Sequence, residues 1–164
     1  MKRFVMSDPR DKSSTAIQNQ VLTGEEVWFE YPVRAYPHHT DYGGVVWHGT
    51  YIAWMEEARV ECFKSIGLDY ADLVALGCEL LVVELSTRYH RAMPMGATGI
   101  VKTRMNTGNG VRLNWDYQIV SDDRTEIYLS AQVTLVAVDR EKGKIMRRLP
   151  PIVSEAIDRL EMMR

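Results

Sequence analysis

One order of elements constrains this chain most: a long amphipathic helix, followed by little but strands joined by short polar turns. From Trp47 to Ile66 the apolar residues Tyr51, Met55, Ala58, Cys62 and Ile66 recur at spacings of four and three, the repeat of a helix with one buried face. Glu57, Glu61 and Lys64 fall on its more polar side, and Gly67 supplies the stop. Ahead of it, Val27 to Ala35 alternates as a strand, and Pro32 predicts that this strand lies at an edge or carries a bulge. Asp69 to Leu76 reads as a second, short helix capped by Asp69 and closed by Gly77.

Beyond Gly77 four strands are predicted: Leu80 to Tyr89, Gly99 to Met105, Val111 to Ser121 and Ile127 to Asp139. The last two alternate cleanly, through Leu113, Trp115 and Tyr117 and through Ile127, Leu129 and Ala131. TGNG at 107–110, SDDRT at 121–125 and REKGK at 140–144 are turn chemistry. Short connections predict antiparallel neighbours. Pro150-Pro151 separates the sheet from a short helix at Ser154 to Met163. A sheet of about five strands must cover its apolar face, and the long helix is the element available to do so. The expectation is an α+β fold, a curved antiparallel sheet wrapped around one long central helix.

A length of 164 residues with 46% hydrophobic and 26% charged residues suits one ordinary domain. We place it at residues 25–164, behind a polar, flexible extension at 1–24. A net charge of -2 gives no general reason to expect nucleic-acid or membrane-surface binding. Cys62 and Cys78 make no disulfide framework and lack metal-ligand spacing. No run of 18 apolar residues occurs, and the N-terminus lacks the apolar segment of a signal peptide, so a cytoplasmic protein is expected.

The stretch HHTDYGGVVWHGTYIAWMEEAR, residues 38–59, concentrates the chemistry. Asp41 stands in a glycine turn a few residues before the helix begins. Read alone, it is either a turn former or a reactive carboxylate. His38, His39, Asp41 and His48 invite a metal reading, but their spacing matches no zinc pattern and no metal is expected. Glu56 and Glu57 read as helix-surface charges, with a second role open as an alternative base. Trp47, Tyr51 and Trp54 read equally as core or as pocket wall, and Met93-Pro94-Met95-Gly96 as channel lining or core filler.

Thr40 to His48, the following Tyr51 and Glu56-Glu57-Ala58-Arg59, and the stretch Leu135 to Arg140 resemble the hotdog-fold thioesterases. More narrowly they resemble the 4-hydroxybenzoyl-CoA thioesterase family, including its Tol-Pal-associated branch. The resemblance covers residues 25–150. It implies an acyl-CoA thioesterase acting without metal or bound cofactor, coenzyme A being part of the substrate. It also implies a homodimer or homotetramer with the active site at a protomer interface. From the charge balance and the lack of a long apolar run, no nucleic-acid or membrane partner is expected.

Thioester hydrolysis needs an activated water or nucleophile and stabilisation of the oxyanion. By resemblance Asp41 supplies the first, as general base or by direct attack. The backbone N–H of His48, at the helix start, supplies the second. Gly44, Val45, Trp47 and Tyr51 are the expected substrate contacts. Arg88, His90, Arg91, Lys102 and Arg104 fall on two strands expected to be neighbours. Among them Arg88 and Arg91 are candidates for the coenzyme A phosphates, with a solvated sheet face as the alternative. Two other functions compete. A non-catalytic acyl-CoA-binding module would fit loss of the carboxylate, and Asp41 is present. A hotdog-fold hydratase or dehydratase pairs Asp and His more closely, around an Asn-Pro, where this chain has Tyr-Gly-Gly-Val-Val-Trp.

Overall fold

The computed structural model describes residues 27–162, so the expected extension at 1–24 lies outside the described residues. The elements are β1 (Phe29–Arg34), a 3-10 turn (Pro37–His39), α1 (His48–Ser65), α2 (Tyr70–Ala75) and β2 (Cys78–Tyr89). There follow β3 (Thr98–Asn109), β4 (Arg112–Ser121), β5 (Ile127–Asp139), the two-residue β6 (Lys144–Ile145) and α3 (Pro151–Met162). The sheet order is β1-β3-β4-β5-β2, every pair antiparallel, with β6 added to β5. The expected α+β fold is present, with the sheet curled around α1.

Alternation sorts the strands as the sequence predicts. Val101, Thr103 and Met105 of β3, Leu113, Trp115, Tyr117 and Ile119 of β4, and Leu129 to Ala137 at every second position of β5 are buried. They meet Tyr51, Met55, Ala58, Cys62 and Phe63 of α1, each no more than 3% exposed. Burying each large apolar side chain contributes roughly 1.5–3 kcal/mol, so this one layer carries most of the hydrophobic stabilisation. Ile127 departs from the expected inward set and is 43% exposed. The β4/β5 register shifts between Ile119 and Val120, which breaks the alternation opposite it.

Three further expectations are corrected. β2 and β3 are consecutive in the chain but not neighbours, because β4 and β5 lie between them. Residues 90–97 connect them, running against the loop that precedes α1. β3 runs on to Asn109, so the turn falls at Gly110, which has φ +67°. α3 begins at Pro151 rather than Ser154, as proline fits the first turn of a helix. α3 also shares in covering the sheet: Val153, Ala156 and Ile157 are buried, and Arg159 Nη1 donates to Ile66 O at 2.7 Å. That bond satisfies a carbonyl at the C-terminal end of α1. Pro32 lies in β1, an outer strand, as its missing N–H requires. Among the described residues no helix is long and apolar enough to cross a membrane.

Candidate active site

The segment entering α1 is a tight loop built by its own backbone. Asp41 N–H donates to Val45 O at 2.9 Å, and Gly44 N–H donates to Asp41 O at 3.1 Å. Closing the loop this way puts Gly44 at φ +74°, where a side chain would be strained. Thr40 and Val46 form an antiparallel bridge, and Trp47 N–H donates to His39 O at 2.9 Å. The loop therefore returns the chain beside its own start and aims it into α1.

Asp41 sits exposed at this loop, and its Oδ1 accepts Gly43 N–H at 2.8 Å. Its other carboxylate oxygen has no hydrogen-bond partner among the described residues. The turn-forming role and an available carboxylate are thus both present in one side chain. At the other end of the loop α1 starts at His48 with no side-chain cap from Trp47 and no acidic residue in its first turn. The His48 and Gly49 N–H groups have no acceptor among the described residues. Such an uncapped N-terminus favours negative charge. The Trp47 ring lies against the first turn at Gly49: a Cβ there would stand 2.1 Å from that ring. Only glycine at position 49 tolerates the indole there. Trp47 and His48 rings pack at 4.6 Å and both remain exposed, so both can meet a ligand.

A strap from the β2–β3 crossover holds the loop from the other side. Val46 N–H donates to Met93 O and Met95 N–H donates to Gly44 O, both at 2.9 Å, and Val45 bridges Pro94. Met93 is fully buried, so in that stretch it is core rather than channel wall, while Met95 is exposed. Tyr51 is also core, 3% exposed, and its hydroxyl oxygen accepts Met93 N–H at 3.2 Å. Burial raises its pKa above that of an ordinary phenol. Trp54 is buried against Tyr51 and His39.

The expected basic cluster is dispersed by the strand order. Arg88 is exposed on β2, and Arg91 just beyond it is ion-paired with Glu126. Lys102 and Arg104 lie on β3, stacked over the Trp28 ring at 5.2 and 4.3 Å, with Arg104 also paired to Asp116. Arg88 and Arg91 flank Tyr89, whose ring lies 5.7 Å from that of Tyr51, so these two arginines belong to the same end of the molecule as the loop. Among the described residues no three His, Cys, Asp or Glu side chains converge as metal ligands. Glu56 is exposed, and Glu57 accepts the Tyr31 hydroxyl at 3.1 Å in a cleft of about 460 Å³ beside β1.

Two features went unread in the sequence. Arg59 is 3% exposed, donating to the Tyr117 hydroxyl at 3.0 Å and the Tyr70 hydroxyl at 3.4 Å, with no carboxylate partner among the described residues. Its position one turn from both Met55 and Phe63 marks it as core-facing, and that signal was available. The strap through Met93 carries no such signal, because it depends on the crossover.

Comparison with known proteins bears on the family and the fold. Residues 36–159 match the model of the thioesterase-like superfamily. A protein named as an esterase in Synechocystis sp. is 55% identical over 143 residues, covering 87% of this chain and 86% of the relative. The acyl-CoA thioester hydrolase YbgC of Escherichia coli is 32% identical, covering 77% of this chain and 94% of the relative. A solved structure of a DHNA-CoA thioesterase from Staphylococcus aureus superposes with a TM-score of 0.76 at 25% identity, covering 83% of this chain and 92% of that one.

Proposed function

Since the chain belongs to the thioesterase-like superfamily and is a thioester hydrolase of the hotdog fold, we propose that it cleaves acyl-CoA thioesters with Asp41 as its carboxylate and the α1 N-terminus as its oxyanion donor. One observation carries the reading. A single backbone-closed loop joins an exposed carboxylate to a helix start whose first N–H groups are uncapped. In the general-base route Asp41 takes a proton from water as the oxygen bonds to the thioester carbon. The carbonyl oxygen gains charge against the His48 N–H, the C–S bond breaks, and the departing thiolate takes the proton that Asp41 holds, which restores the carboxylate. In the nucleophilic route Asp41 attacks the thioester carbon, the C–S bond breaks and the thiolate leaves as an acyl anhydride forms. Water then opens the anhydride to the free acid and the Asp41 carboxylate. The acyl group is aromatic or a short to medium aliphatic chain, entering past Trp47, Gly44 and Val45. Arg88 and Arg91 are the cations for a coenzyme A phosphate, Arg91 exchanging its exposed pair with Glu126 for the phosphate. No cofactor takes part, and a coenzyme A substrate fits a cytoplasmic site of action.

The reading includes a homodimer. β2 is a 12-residue outer strand with Leu81, Val82, Val83, Leu85 and Tyr89 each at least 40% exposed, an apolar edge suited to pairing. The opposite edge, β1, is only six residues long and carries Pro32, which has no N–H to offer a partner strand. The Tyr89 end of β2 lies beside the α1 N-terminus, so a second copy paired there would border the catalytic loop.

The test is thiol release from a panel of aromatic and aliphatic acyl-CoAs, with wild type and Asp41→Asn side by side. Turnover lost in a folded variant supports the proposal and narrows the acyl class. Binding without turnover on any substrate replaces it with the binding-module reading.

A further inference from the structure

Met93 N–H has an unusual acceptor, a buried tyrosine hydroxyl in the first turns of α1. The strap that holds the loop is thereby fastened to the helix as well. Met93 and Met95 take the loop by its backbone at Val46 and Gly44, while Tyr51 ties Met93 to α1 at 3.2 Å. Tyr89 adds a second link. Its ring meets Tyr51 edge-on at 5.7 Å, and its hydroxyl donates to His48 O at 3.4 Å. Loop, strap and helix start thus form one closed circuit of contacts, and His48 is the residue where it meets the proposed oxyanion donor.

We infer that Tyr51 and Tyr89 are positioning residues, which fix the α1 N-terminus against the Asp41 loop through the β2–β3 strap. The inference rests on the function proposed above, and it reassigns Tyr51 from substrate contact to support. Neither tyrosine needs to touch the substrate for this role. A donor held out of line loses contact mainly with the charge that develops in the transition state, so the effect falls on kcat rather than on KM. Because Tyr89 ends the exposed outer strand, the same circuit links that edge to the catalytic loop.

The test pairs Tyr51→Phe and Tyr89→Phe in the full chain. Each change removes one hydroxyl and keeps the ring. The expected result is a fall in kcat on the order of tenfold for Tyr51→Phe, and less for Tyr89→Phe, with KM within about twofold of wild type. Amide exchange at Val46 and Met95 is expected to quicken in Tyr51→Phe while β4 amides stay unchanged. Tyr89 is half exposed, so its variant folds even where loss of the buried Tyr51 hydroxyl is too costly. Unchanged kcat in folded variants overturns the inference, as does a rise in KM that accounts for the whole loss. If wild type hydrolyses no thioester, the proposed function fails by itself. The exchange measurement then decides the circuit: quickened exchange upholds it, and unchanged exchange overturns it.

Discussion

Asp41 does two things that one pair of substitutions separates. Its Oδ1 accepts Gly43 N–H at 2.8 Å and so shapes the loop, while its charge is what catalysis would use. Asn at this position keeps an oxygen for Gly43 and loses the charge, whereas Ala loses both. As general base, Asp41 is worth about 10²–10⁴ in rate, and more if it attacks directly. Both variants should therefore lose kcat by about that factor. Stability should part them. A neutral hydrogen bond contributes about 0.5–1.5 kcal/mol, and the exposure of this loop puts it at the low end. Asp41→Ala should then melt about 1–2 °C below Asp41→Asn in a domain of this size. Thiol release and thermal melts, run on the same preparations, give both numbers. Wild-type kcat in Asp41→Asn, with activity in Asp41→Ala reduced only in step with its stability, would refute the catalytic role. Asp41 would then be a turn former, and the carboxylate would have to be sought at Glu56 or Glu57.

Gly49→Ala should displace the Trp47 ring, since its Cβ would stand 2.1 Å from it, and should shift Trp fluorescence and raise KM while leaving the fold intact; an unchanged spectrum would contradict the packing. Arg59→Ala should cost about 3 kcal/mol or more, read as a lower urea midpoint, because it opens a cavity and strips a hydrogen bond from buried Tyr117. Burial pushes the Cys62 thiol and the Tyr117 hydroxyl each up to about 12, from 9.0 and 10.0. The unfolded chain releases these protons first, so stability is full below pH 9 and falls as pH rises toward 12. Urea melts at pH 8 and pH 10.5 that coincide would count against it. Val82→Lys should convert dimer to monomer in light scattering and cut kcat, whereas a wild type that is already monomeric would remove the β2 edge from the account.

The α+β class, the extent of α1 and the inward faces of β4 and β5 were legible because burial imposes a period on each element. Tyr51, Met55, Ala58 and Cys62 repeat with the helix, and Leu113, Trp115 and Tyr117 repeat with the strand. The loop from Asp41 to His48 was legible as a local turn, since a few consecutive residues close it, while the roles of Asp41 and His48 came from the family resemblance. Periodicity says which face of an element is buried, but not which element lies opposite. The place of β2 at the far edge, the strap through Met93 and the scattering of Arg88, Arg91, Lys102 and Arg104 all follow from strand pairing between residues far apart in the chain. β2 itself reads CELLVVELSTRY, without a clean alternation, because most of it lies exposed along an edge. Tyr51 shows the division within one side chain: the helical repeat already turned it inward. Only the crossover that brings Met93 over α1 decided that its hydroxyl would accept a backbone N–H.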